Sequence, residues 1–112
     1  MATISTHVLD TSLGRPAAGI VVALYRREPD ATWFELGRGK TDNDGRIPKT
    51  ASPELSPGVY RLVFETGPYL DRAHGGGFWP EVPLVFTIYD ATAHYHVPLL
   101  LSPHGISSYR GS

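Results

Sequence analysis

Ala93-His94-Tyr95-His96-Val97-Pro98-Leu99-Leu100-Leu101-Ser102-Pro103 decides how this chain folds. With a period of two it is a β-strand. Tyr95, Val97, Leu99 and Leu101 fall on one face, and His94, His96 and Pro98 on the other. The apolar face seeks a core, which leaves two imidazoles and a proline outside it. Ser102-Pro103-His104-Gly105 then reads as a turn. A frayed end is the default for a terminus. Here Ile106, Tyr109 and the intervening serines predict a last strand that is tied down.

The opening of the chain alternates in the same way. Ile4, Thr6 and Val8 share one face, and Thr3, Ser5, His7 and Leu9 share the other. With Ile4 and Val8 inward, Ser5 and His7 point away from the core. Thr11 to Pro16 is a loop. Ile20-Val21-Val22-Ala23-Leu24-Tyr25 is apolar on both faces, as in a central strand or one covered by another subunit. Trp33 to Thr41 is a weaker strand whose two glycines permit a bulge. Asp42-Asn43-Asp44-Gly45 is a tight turn. A calcium-loop reading of it fails, because a loop that starts at Asp42 or Asp44 has no Glu at its twelfth position. Arg46 follows at the mouth of that turn.

Val59 to Glu65 and Leu84 to Tyr89 add two more strands. Between them, Pro68 to His74 is the one candidate helix, starting near Thr66 or Gly67 and stopped by Gly75-Gly76-Gly77. The pattern gives seven or eight strands and one short helix, an all-β sandwich forming a single domain over residues 1–112.

Composition narrows the function. A chain of 112 residues suffices for one core. A formal net charge of −1 without charge blocks argues against nucleic-acid and membrane partners. The absence of cysteine excludes disulfides and thiolate chemistry and fits a reducing compartment. The first residues lack a basic stretch followed by an apolar run, so no signal peptide is expected. A cytoplasmic location is the expectation.

Five histidines remain to be explained. His74 and His104 fall in predicted loops and read as surface residues. His7, His94 and His96 lie on non-core strand faces. If the first strand and the His94 strand are neighbours, one outer face carries Ser5, His7, His94, His96, Ser107 and Tyr109. Three readings of that face stand open. It is a solvated polar face, or a metal site built from His94, His96 and His7, or an acid–base pair of imidazoles near neutral pH. Arg46 would supply a fixed cation for a developing oxyanion, but composition does not bring it to the histidines.

The stretch His94 to Pro103, the tail Tyr109-Arg110-Gly111-Ser112, the opening Ser5-Thr6-His7-Val8-Leu9-Asp10 and the turn Thr41 to Arg46 together resemble the transthyretin-related 5-hydroxyisourate hydrolases. Phe78-Trp79-Pro80-Glu81-Val82 is similar to their approach to the sixth strand. The resemblance spans essentially the whole chain, and the terminal Tyr-Arg-Gly-Ser is its specific mark. It implies a transthyretin-like (prealbumin-like) sandwich of two four-stranded sheets with one short helix, assembled as a homotetramer. It implies hydrolytic ring opening of 5-hydroxyisourate, a cyclic amide, in urate breakdown, without metal or cofactor. By motif, the catalytic residues would be His7, Arg46 and His96, with Tyr109, Arg110, Gly111 and Ser112 shaping the substrate pocket. The competing class is a non-enzymatic, transthyretin-like carrier of a small ligand. Such a channel would want apolar and long charged side chains where this chain has His7, His96 and Tyr109. A structural sandwich module would need no outward histidines.

Overall fold

A computed structural model describes residues 2–47 and 55–111. Strand β1 (Thr3–Asp10) is the axis of one sheet. Its burial alternates as the sequence pattern requires, with Ile4, Thr6, Val8 and Asp10 inward. On one edge β1 meets two short strands, β2 (Arg15–Pro16) and β5 (Arg46–Ile47), both antiparallel. The Val8 N–H donates to the Gly45 carbonyl and the Val8 carbonyl accepts from Ala17 N–H, which places both short strands on the same side.

The other edge of β1 carries the histidine stretch, broken in two. β8 (His94–His96) and β9 (Leu99–Leu101) both run parallel to β1. The break falls at Val97-Pro98, where proline has no N–H to give to a ladder; Val97 N–H still reaches the Ser5 carbonyl at 2.9 Å. Outside β9 lies β10 (Ile106–Ser108), antiparallel, so the last strand is tied down as expected. Side by side the segments make four lanes, β2/β5, β1, β8/β9 and β10.

The second sheet has four strands in the order β4 (Trp33–Lys40), β3 (Val21–Arg27), β6 (Gly58–Phe64), β7 (Val82–Ile88), all antiparallel. The doubly apolar stretch is thus the interior strand β3. The glycine-bearing β4 is bulged against it, its register slipping between Leu24 and Tyr25. Helix α1 (Thr66–His74) begins two residues before Pro68, so proline sits in the first turn, where a missing N–H costs nothing. Gly75 ends it in the left-handed conformation, φ 73°. The core between the sheets includes Val8, Leu24, Tyr60, Leu62, Phe64, Leu70, Leu99 and Leu101, each at most 1 % exposed.

Candidate functional site

The outward residues of β1 and its neighbours meet in one row. His7 lies opposite Arg46 across β1 and β5. Ser5 lies opposite His96, and Thr3 opposite His94, across β1 and β8. Directly paired residues share a sheet face with their Cβ atoms about 5 Å apart. The turn before β5 is what puts Arg46 there. The Asp42 carboxylate accepts from Asp44 N–H and Arg46 N–H, both at 2.9 Å. Gly45 holds φ 74° in that turn, and a Cβ on it would meet the Val8 carbonyl oxygen at 2.4 Å. The arginine that composition could not place therefore stands beside His7.

Ser5 joins two of the imidazoles. Its Oγ lies 2.8 Å from His94 Nε2 and 2.8 Å from His96 Nδ1. His94 Nδ1 is in turn 2.5 Å from Thr3 Oγ1. Both ring nitrogens of His94 are thus engaged by hydroxyls. Among the described residues no group of three or more His, Asp or Glu side chains converges to hold a metal ion. His96 is half-buried, and burial lowers its pKa below the ordinary histidine value; the nearby Arg46 guanidinium, His7 and His94 push it the same way. Its neutral form is the favoured one, as a base requires.

The tail completes the row. Ser108 pairs with Leu99, and three residues on, in unbroken antiparallel register, Gly111 bridges His96, its N–H donating to the His96 carbonyl at 2.7 Å. Ser108 Oγ also donates to the Pro98 carbonyl at 2.7 Å. A Cβ on Gly111 would lie 2.5 Å from His96 Cδ2, so only glycine passes this close to the ring. In the same register Tyr109 falls on the outer face, 58 % exposed, and Arg110 on the inner one. The Arg110 guanidinium stacks over the Tyr95 ring, 4.3 Å from its centroid. Ser112 lies outside the described residues.

A groove lies elsewhere. About 250 Å³ in volume, it opens between the edge strand β7 and the tail, with Leu84, Phe86, Tyr95, Val97, Tyr109 and Arg110 among its walls. The histidine row does not line it; in a single chain that row is an open face.

One surface assignment fails. His74 ends α1, as the candidate helix Pro68 to His74 had it, but it is not a surface residue: its side chain is 12 % exposed and its Nε2 lies 2.8 Å from Asp10 Oδ2. Asp10, itself buried, also accepts from Tyr69 Oη at 2.6 Å and Leu13 N–H at 2.9 Å. Burial alone would raise the Asp10 pKa; the bonds from Tyr69, Leu13 and His74 outweigh it and hold the carboxyl below its ordinary value. Burial and the Asp10 bond push Tyr69 up to about 12. The sequence carried no local sign of this, since the helix end and its carboxylate are far apart along the chain. Alternation puts Ser5 and Thr3 on the outer face but gives no sign of their bonds to the imidazoles, because hydroxyls there look like ordinary solvated residues.

Fold and site define a transthyretin-like β-sandwich bearing a His–Arg–His row on one outer sheet face. The HIUase/Transthyretin family matches residues 4–111, and the chain belongs to that family. The 5-hydroxyisourate hydrolase of Salmonella dublin is 47 % identical over 97 % of this chain and 80 % of its own length. The structure of Klebsiella pneumoniae 5-hydroxyisourate hydrolase superposes with TM-score 0.88 at 38 % identity, covering 100 % of both chains. Transthyretin from Sparus aurata superposes with TM-score 0.91 at 26 % identity, covering 97 % of this chain and 96 % of its own.

Proposed function

We propose that this protein hydrolyses 5-hydroxyisourate to 2-oxo-4-hydroxy-4-carboxy-5-ureidoimidazoline in urate degradation, working as one transthyretin-like domain. The observation that carries the reading is the juxtaposition of His7 with Arg46 and of Ser5 with His96 on one outer face. Fold alone does not separate hydrolase from carrier, because Sparus aurata transthyretin superposes as well as the Klebsiella enzyme. The imidazole row and the hydrolase relatives favour hydrolysis.

The catalytic residues are His7, Arg46 and His96. One imidazole takes a proton from water, and the resulting hydroxide attacks the ring carbonyl. Arg46 holds the anionic substrate and the oxyanion that forms on attack. The ring C–N bond then breaks, the second imidazole helps to move a proton to the departing nitrogen, and the carbonyl becomes a carboxylate. The low pKa of His96 fits the role of base. Tyr109, Arg110, Gly111 and Ser112 shape the substrate pocket, Gly111 by bringing the tail against His96. No metal or cofactor takes part.

The enzyme is a homotetramer. Both walls of the groove, β7 and the tail lane, are sheet edges open to further pairing. The histidine face is likewise open, and a partner covering it would turn a row into an enclosed channel. No helix among the described residues is long and apolar enough to cross a membrane. We place the protein in the cytoplasm, a compartment with which the cysteine-free composition is compatible.

The test is the ultraviolet decay of freshly made 5-hydroxyisourate. Acceleration by micromolar protein is expected; decay at the spontaneous rate overturns the reading and revives a carrier.

A further inference from the structure

Two side chains outside the catalytic assignment, His94 and Ser5, form a continuous chain with a third, Thr3, that ends on His96. Thr3 Oγ1 is 2.5 Å from His94 Nδ1, His94 Nε2 is 2.8 Å from Ser5 Oγ, and Ser5 Oγ is 2.8 Å from His96 Nδ1. Thr3 and His94 are exposed, while Ser5 and His96 are half-buried. The chain thus runs from solvent inward.

Donor counting restricts what these contacts mean. A neutral imidazole has one N–H and one acceptor nitrogen, and a hydroxyl has one proton to give. Two arrangements keep every proton aligned in one direction. In the first, Thr3 O–H donates to His94 Nδ1, His94 Nε2–H donates to Ser5 Oγ, and Ser5 O–H donates to His96 Nδ1. His96 then carries its proton on Nε2. In the second, His96 Nδ1–H donates to Ser5 Oγ, Ser5 O–H donates to His94 Nε2, and His94 Nδ1–H donates to Thr3 Oγ1. His96 Nε2 is then bare. The two arrangements differ by one proton gained at His96 Nε2 and one lost at Thr3.

We infer that Thr3, His94 and Ser5 are a proton relay that serves His96, with Ser5 as its central positioning hydroxyl. The inference rests on the proposed reading of His96 as a group that exchanges protons with water and substrate. In the second arrangement the bare Nε2 takes a proton from the attacking water. His96 Nδ1–H passes to Ser5 Oγ, the Ser5 proton to His94 Nε2, the His94 Nδ1 proton to Thr3 Oγ1, and the Thr3 hydroxyl proton to solvent. The chain is left in the first arrangement. His96 Nε2–H then protonates the departing ring nitrogen while solvent returns a proton at Thr3, which restores the second. One proton leaves water, one reaches nitrogen, and no imidazolium has to persist. That matters at this position: burial, Arg46, His7 and His94 all disfavour a charged His96. A ring that takes a proton poorly as a lasting charge works best when it hands one on. Ser5 also fixes the ring's orientation, as hydrogen-bonded outer partners do for ligating and catalytic histidines.

The test uses Ser5→Ala and His94→Phe in the full chain, assayed with 5-hydroxyisourate at fixed pH in rising concentrations of free imidazole. Wild type should be insensitive to imidazole. Each variant should lose kcat by about a factor of ten or more, with KM little changed, and recover it as imidazole replaces the missing carrier. Ser5→Thr should keep most of the wild-type rate. Nitrogen-15 shifts of the histidine rings give a readout without substrate: Ser5→Ala should alter the tautomer balance of both His94 and His96. Full kcat in both variants, or a loss that imidazole leaves untouched, overturns the relay. Should wild type fail to accelerate decay, the hydrolase reading falls, while the tautomer coupling through Ser5 is still decided by the ring shifts.

Discussion

His7 faces Arg46 in direct antiparallel register, a pairing of the first long strand with a two-residue strand behind a four-residue turn. The arginine is held by its backbone, through Asp42, while its side chain is exposed. The position of this cation is therefore set by the turn. Gly45→Ala should strain the turn, displace Arg46 and cost about 1–3 kcal/mol of stability. The check is a thermal melt beside steady-state kinetics: KM should rise in the variant, and an unchanged KM would separate the turn from substrate binding.

The pH profile follows from His96. A base must be neutral, so activity should fall as pH drops through its titration, below the ordinary histidine value of about 6.5. The Arg46 charge is one cause of that low position. Arg46→Gln removes it, so the acid limb of kcat should move to higher pH even as the rate falls. An acid limb that stays put would show that another group controls it.

His7→Asn and His96→Asn should each lower kcat by about 10²- to 10⁴-fold, the range of general acid–base groups. Both rings lie on the outer face, so far-ultraviolet circular dichroism should be unaltered. Wild-type turnover in both variants would remove the pair from the reaction.

Much of this was legible in the sequence, and the reasons are physical. Strict alternation in Thr3 to Asp10 and His94 to Leu101 fixed which side chains leave the core, because period two admits no compromise. The interior place of β3 was readable from its two apolar faces. Arg46 was not placeable, since its neighbour is chosen by strand pairing between distant segments. Nor was the role of His74: hydrophobic periodicity describes faces, not which buried carboxylate a helix end will reach. The interruption at Val97-Pro98 was also hidden, because alternation continues through it.

Asp10 gives a stability prediction. Asp10→Ala would strand the Tyr69 hydroxyl, the Leu13 N–H and His74 without their shared acceptor, at a cost of about 3 kcal/mol. The Asp10 carboxyl titrates below its ordinary value in the folded protein. Its contribution is thus full above the unfolded pKa of about 3.9 and is lost as pH falls through the lower folded value. Melting temperatures of wild type and Asp10→Asn should converge in that acid window; a gap that persists below it would mean packing, not charge, carries the effect.

The tail and the assembly can be probed together. Deleting Tyr109 to Ser112 should lower kcat/KM strongly, because small displacements of positioning groups have large rate effects. Wild-type mass by light scattering should be that of a tetramer. A monomer at micromolar concentration would count against the enclosed channel, and a full-rate deletion variant against the tail.

The parallel pairing of β1 with β8 and β9 joins the two ends of the chain, Thr3 with His94 and Asp10 with Leu101. During synthesis the β4-β3-β6-β7 sheet has all its strands by Ile88, before His94 exists. β1 must therefore wait, with only the short strands β2 and β5 beside it, until nearly the whole polypeptide has left the ribosome. Loop closure over such a span is slow compared with hairpin formation. The histidine face is then the last part of the molecule to be born, and pulsed hydrogen exchange during refolding should find the amides of Ser5 to Leu9 protected after those of β3 and β6.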